Sequence, residues 1–591
     1  MFVPELLGSA ISGVAGHPRI EFTGSWTRRA DGLWSLPIRA RLSVPESAWM
    51  SAETNWFVVF EPSSSSVTIF PARDGGIAST FQHQSFNDEG ASNSPWRLGN
   101  PCLQRQAAAF GRSSWCGQPD EIDEKIAWYL ERLLLWIDAA ATGELAVAGE
   151  PFELPAGPGQ TGFPVIGFVN SKYDIEFWSA RKGTWGWADL AKLPRAVATY
   201  AVTSFRDRNL KPIIDLKWGA LVSSISPSTT ALWIALEQLP VLAPWEFPRT
   251  WSALSSYLKS VGVGLEDVLI QAGADRRVRK QDNDPLILLF GFPISHIIGE
   301  APSRYHWIAV DGVDLSNRRA QKNGFRASEK TRQLIDRSRA TSTSALTWLR
   351  TANWEPEELR TRSGNDSVVS SQGVLLIGAG SLGSAVAENL VRMGITRMGV
   401  IDADRLDVGN LTRHALGLDA VGHNKAKALA SALNLIMPDA NAAAFESSFP
   451  PIDGDVADQL RAFDVIVDCT GSDAILDAMS EFEWGGEKLF VSLAMTWKAE
   501  GLLVFTASES AFPKIDAKER FSSVDVPPTD LQDARIEGVG CWHPVFPASA
   551  ADVRLWSAVG SKAVGRAMRS PERRCEYFRQ TEDGALERID V

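Results

Sequence analysis

The sequence predicts a multidomain protein of mixed α/β class, on three observations. At 591 residues the chain exceeds what one core organises, since domains run to roughly 150 residues. Its first half mixes strand-like and helical segments, the α+β pattern. After residue 370 a regular alternation of strand, helix and strand begins.

The runs NWFVVFE and SVTIFPA alternate as strands do, and a long irregular stretch from 81 to 120 precedes a helical run, EKIAWYLERLLLWIDAA. Pro and Gly crowd together in AGEPFELPAGPGQTG at 148–162, which marks the first boundary and defines an α+β unit over 1–158. From 159 to 345 short strands (PVIGFV, PLILLFGF, YHWIAV) mix with helices and carry no chemical motif, giving an α+β middle unit. A polar stretch, SNRRAQKNGFRASEKTRQLIDRSRATST, leads to a helix expected near 343–350 and to a third unit over 346–591.

Composition narrows the function. Lys plus Arg number 59 against 71 Asp plus Glu, and the net charge of -12 repels a phosphate backbone, so nucleic acid is not expected as a partner. The start, MFVPELLGSAISGVAGHP, lacks a charged leader pattern and PLILLFGFPISHIIG is too short to span a bilayer, so no membrane partner and a cytoplasmic location are expected. The five cysteines, at 102, 116, 469, 541 and 575, form no C-x-x-C pair. They read as reduced single thiols, core residues by default, and no structural zinc is expected.

Residues 373–402, GVLLIGAGSLGSAVAENLVRMGITRMGVID, give an apolar strand, Gly378-x-Gly380-x-x-Gly383, a helix of about three turns and a second strand ending at Asp402. This is a Rossmann-like βαβ unit. Its glycines let backbone approach phosphate, the helix start offers N–H groups and a positive dipole end, and Asp402 can accept ribose hydroxyls. The motif alone fits a dinucleotide and hydride transfer. Asp404, Asn410, Arg413 and Lys425 follow, and two cations with a polar donor suit charge developing on a triphosphate. On the residues alone, Arg413 and Lys425 read equally well as solvated surface charges.

Two thiols draw notice. Cys541 stands between a long polar run and a proline in GVGCWHP, a setting poor for a core and suited to attack as thiolate. Cys102 follows a proline in SPWRLGNPCL, after His83-Gln84-Ser85-Phe86-Asn87, where the Asn87 amide could donate to an oxyanion. Taken alone, neither Cys102 nor Asn87 says much.

The glycine motif, Asp402 with Asp404, Asn410-Leu411-Thr412-Arg413 and Lys425 together resemble the ThiF-type adenylating domain shared with ubiquitin-activating enzymes. The resemblance implies ATP with Mg2+, and it implies roles for Arg413 and Lys425 in catalysis. Where that family has D-x-T-D-N, this chain reads DVIVDCTGSDA, with Gly471 at the second acid, so Asp468 or Asp473 is left to hold Mg2+. Cys541 is in the setting of the acyl-accepting cysteine of such enzymes. Cys102 in G-N-P-C-L is similar to the catalytic cysteine of ubiquitin-conjugating enzymes, with Asn87 in a stretched version of their H-P-N motif.

An N-terminal ubiquitin-conjugating-like domain, a middle linker domain and a C-terminal adenylating domain resemble the fused enzymes of CBASS antiphage systems, a likeness strengthened by TFQHQSFN, WRLGNPCL, PFELP and LTRHALG. It implies thioester formation on Cys541, transfer to Cys102 and ligation to target lysines. It further implies that the donor is the C-terminal tail of a cGAS-like nucleotidyltransferase and that the enzyme is a homodimer through its adenylating domain. The rival readings are another bacterial ubiquitin-like system with a ubiquitin-like donor, an NAD-binding oxidoreductase, and a nucleotide-binding scaffold.

Overall fold

The N-terminal strands are short and alternate buried with exposed residues, so they form an antiparallel sheet with one covered face. In the computed structural model Ile20–Phe22, Trp34–Arg41, Glu53–Glu61 and Ser66–Pro71 pair in that order, with Thr27–Arg28 added against Trp34–Arg41. The structure describes residues 7–8, 14–103, 117–157, 165–274, 286–313, 315, 328–361, 369, 371–524, 535–537 and 543–591, with backbone alone for 535–537 and 543–545.

The helix Ile122–Thr142 covers the sheet. Its Ile126, Leu130, Leu133, Leu134 and Ile137 recur at helical spacing and are buried with Trp56, Val58 and Ile69. Each such side chain contributes about 1.5–3 kcal/mol by leaving water. Gly143, at φ 77°, ends the helix in the left-handed conformation that a side chain would disfavour.

Chain contacts divide the described residues into two compact units, one of 1–215 with 227–352 and one of 216–226 with 353–591. The first also contains an eight-stranded sheet from Val165–Phe168 to Thr347–Asn353, in which Leu286–Ile294 is buried on both faces. The helix expected near 343–350 is instead the strand Thr347–Asn353, paired with Arg304–Val313. Trp348 and Leu349 are buried there, and pairing into a sheet overrides local helical preference. The helix lies earlier, at Glu329–Ala340, inside the polar run. It packs because Arg332 and Asp336, one turn apart, pair at 3.0 Å and are buried together.

In the second unit the sheet order is Asn441–Phe445, Arg397–Ile401, Val374–Ile377, Val465–Asp468, Lys488–Met495, Gly501–Glu509, Arg574–Gln580 and Leu586–Asp590. The first five strands are parallel and the rest antiparallel. From Val374–Ile377 the chain winds outward one way, then returns to lay Val465–Asp468 on the other side. That reversal opens a crevice at the carboxyl ends of these two strands, where doubly wound sheets bind ligands.

Candidate functional site

The glycine motif occupies that crevice. Gly378 takes φ 90°, and a Cβ there would meet Thr470 at 2.7 Å. A Cβ on Gly383 would sit 2.0 Å from the Gly378 carbonyl oxygen. Gly380 precedes the helix Ser381–Met393 with no side-chain cap on its first N–H groups, and a Cβ on Gly380 would face open space. Uncapped N–H groups beside open space suit a phosphate.

Asp402 lies just past the second strand. One carboxylate oxygen accepts the Ala379 N–H at 2.7 Å and the other the Asp404 N–H at 2.8 Å, so the acid is fixed against the glycine loop. Asn424, buried, donates to the Asp402 carbonyl at 2.9 Å and caps the helix that Lys425 begins. Lys425 pairs with the exposed Asp404 at 3.0 Å. Asn410 accepts the Asp407 N–H in a capping box, and Arg413 donates to the Phe546 carbonyl at 2.6 Å. Asp402, Asp404 and Lys425 thus join the glycine loop in one network, while Arg413 is tethered through Phe546.

His414 is a participant whose part the sequence did not disclose. Its Nε2 is 2.8 Å from the Ala379 carbonyl oxygen and its Nδ1 accepts the Leu416 N–H at 3.1 Å. A neutral ring carrying its proton on Nε2 satisfies both bonds; a second proton on Nδ1 would oppose the Leu416 N–H. Burial accordingly holds the imidazole below its ordinary 6.5. An unfolded chain takes up this proton as pH falls through about 6.5 while the folded one refuses it, so stability declines from there down to the lowered folded value and is flat above. Urea unfolding near pH 7.5 and near pH 5.5 should show this contribution, at most about 1.4 kcal/mol per pH unit, and His414→Gln should lose it.

Asp468 departs from expectation. It is 1% exposed at the end of a central strand, and its carboxylate accepts from the Thr470 N–H and hydroxyl and from the Ser492 hydroxyl. Burial raises its carboxyl above the ordinary range, against the pull of those donors. An acid so enclosed does not fit a metal. Asp473, in the first turn of Asp473–Glu481, is exposed. No group of three metal-capable side chains occurs among the described residues.

Of the cysteines, Cys469 is buried under the glycine loop, where burial pushes its thiol well up, and Cys575 is buried and pushed to about 11. Both are core residues. Cys541 and Cys116 lie outside the described residues. Cys102 is exposed.

The backbone around Cys102 is knitted to the 81–87 loop. Its N–H donates to the His83 carbonyl at 2.6 Å, Gln84 bridges Pro101, and the Ser85 N–H donates to the Asn100 carbonyl at 3.0 Å. Asn87 is fully buried, and its amide donates to the Ile77 and Ser79 carbonyls at 2.8 and 3.1 Å while its oxygen accepts from Arg97. Both amide protons are thus committed to holding the loop, and in this arrangement none is offered to an oxyanion. Cys102 and His83 together line two adjoining cavities, of about 450 and 770 Å³. No helix among the described residues is long and apolar enough to cross a membrane.

A glycine loop at a sheet's switch point, an acid fixed beside it and an adjoining lysine define an α/β nucleotide-binding domain. The ThiF family model matches residues 360–482, and the model of the Cap2 central linker domain matches 143–354. Over 588 residues the chain is 45% identical to the ATP-dependent ubiquitin transferase-like protein Cap2 of Enterobacter hormaechei subsp. hoffmannii, covering 99% of this chain and 98% of that protein. The chain therefore belongs to the Cap2 family of ATP-dependent ubiquitin transferase-like proteins. It is also 31% identical over 103 residues to the adenylyltransferase and sulfurtransferase MOCS3-1 of Zea mays, which is 17% of this chain and 22% of that one. A crystal structure of Escherichia coli MccB with AMPCPP and MccA aligns with 38% of this chain and 64% of that chain, at 13% identity and a TM-score of 0.28.

Proposed function

We propose that the chain activates the C-terminal glycine carboxylate of a protein with ATP, carries it as a thioester and ligates it to target lysines. A carboxylate oxygen attacks the α-phosphorus of ATP and pyrophosphate leaves. The Cys541 thiolate then attacks the acyl carbon and AMP leaves. Cys102 takes the acyl group by thioester exchange, and a lysine amine displaces it. The proposed parts are a ubiquitin-conjugating-like domain over 1–158, a linker over 159–345 and a ThiF-type adenylating domain over 346–591. The proposed donor is a CBASS cGAS-like nucleotidyltransferase, and the proposed assembly is a homodimer through the adenylating domain.

The observation that carries this reading is one chain holding both a phosphate-ready glycine loop and an exposed thiol framed by two cavities. A dehydrogenase has no use for the second. Gly378, Gly380, Gly383, Asp402 and the Ser381–Met393 helix start would hold the nucleotide, with Lys425, Arg413 and Asn410 supplying charge and donors toward its phosphates.

Intact mass spectrometry after incubation with ATP, Mg2+ and the nucleotidyltransferase tests it. The expected product is an adduct of donor minus water that requires ATP and is released by thiol reductant. An adduct formed without ATP, or none at all, would sink the proposal.

A further inference from the structure

Beside Cys102 the fold gathers groups that thioester carriage alone does not require. His83 stands at φ 53°, a left-handed backbone uncommon outside glycine. Its carbonyl is the acceptor for the Cys102 N–H, and its ring lines the same two cavities as the thiol. Its Nδ1 is 3.0 Å from the Glu153 carboxylate and its Nε2 3.8 Å from that of Glu150. These acids arrive from beyond the Ile122–Thr142 helix on a segment that is itself pinned. Gly149 and Phe152 donate to the Ile298 and His296 carbonyls, and Pro151 bridges Ile297.

Resting on the reading of Cys102 as the final thioester, we propose that His83 is the general base of ligation and that Glu153 positions it. An Nδ1–H held by Glu153 leaves Nε2, 3.8 Å from the Glu150 carboxylate, as the basic nitrogen of a ring whose residue lines both cavities, the arrangement by which a carboxylate fixes a catalytic imidazole. The substrate this serves is a lysine ammonium, whose ordinary value of about 10.4 leaves little free amine at neutral pH. Nε2 of His83 takes one proton from the ammonium, the freed nitrogen bonds to the acyl carbon as the carbon–sulfur bond breaks, and the leaving Cys102 sulfur takes the nitrogen's second proton. Glu150, with Glu144 on the wall of the larger cavity, offers negative charge to the approaching cation. The amide of Asn87, which donates to the Ile77 and Ser79 carbonyls, takes no part in this step.

The test uses the full chain carrying Cys541→Ala, charged directly with a glycine-ended peptide thioester, so that the adduct forms on Cys102 and is missing in Cys102→Ala. The charged protein is then chased with lysine or with hydroxylamine, which is already neutral and needs no base to free its nitrogen before attack. His83→Asn suits the left-handed backbone. It should slow lysine discharge about 100-fold or more, the scale of general-base catalysis, and leave hydroxylamine discharge unchanged. Glu153→Gln, at an exposed position, should show a smaller slowing with the same selectivity. Unchanged lysine discharge in His83→Asn would overturn the assignment, as would equal slowing with both nucleophiles, which marks a structural part. If the parent's adduct meets lysine no faster than the free peptide thioester does, the reading of Cys102 itself fails, and the proposal with it.

Discussion

Gly383→Ala is expected to weaken ATP binding by about 100-fold. The added methyl carbon would lie 2.0 Å from the Gly378 carbonyl oxygen and 3.2 Å from the Cys469 Cβ. The first is backbone of the loop itself and the second belongs to a buried strand end, so neither can rotate aside. The loop must open, and that separates Ala379 from Asp402 and His414. Overpacking of this kind costs about 1–3 kcal/mol or more, which at the upper end is a loss of affinity of about 100-fold. Isothermal titration with ATP reads it directly. Gly380→Ala is the informative companion, because its methyl meets nothing within 4 Å and its φ of -73° suits alanine. It should melt as the parent does yet bind ATP more weakly, since only a phosphate can contest that space. Unchanged affinity in both variants would remove the nucleotide from this loop.

Cys541→Ala and Cys102→Ala should fail at different steps, each by at least about 1,000-fold in ligated product, as loss of a nucleophile does. Without Cys541, donor-dependent exchange of pyrophosphate into ATP continues, because adenylation precedes any thiol, but no thioester forms. Without Cys102, a reducible adduct accumulates on Cys541 and no lysine conjugate follows. Non-reducing electrophoresis separates the two patterns. Normal loading of donor in Cys541→Ala, or normal ligation in Cys102→Ala, would reverse the assigned order.

The nucleotide unit was legible in the sequence because its signals are local. Gly378, Gly380, Gly383 and Asp402 stand at spacings that dictate a turn, a helix start and a strand end, and the helix Ser381–Met393 and strand Arg397–Ile401 fall where that spacing requires. The strands containing NWFVVFE and SVTIFPA and the helix Ile122–Thr142 were legible for the same reason, their periods of 2 and 3.6 residues being written in burial. The helix expected near 343–350 gives way to the strand Thr347–Asn353 because that strand's state comes from a partner, Arg304–Val313, that no local pattern announces.

The sequence by itself determined where the backbone must bend and which residue types could do chemistry. Glycine torsions and side-chain periodicity are properties of neighbours along the chain. Only the tertiary structure decided which of those residues are free to act. It enclosed Asp468 between Thr470 and Ser492, turned the Asn87 amide inward to Ile77 and Ser79, and brought Glu150 and Glu153 to the ring of His83 beside Cys102. Solvation and hydrogen-bond occupancy depend on segments far apart in sequence, and these set whether a carboxylate, an amide or an imidazole retains a lone pair or proton to offer.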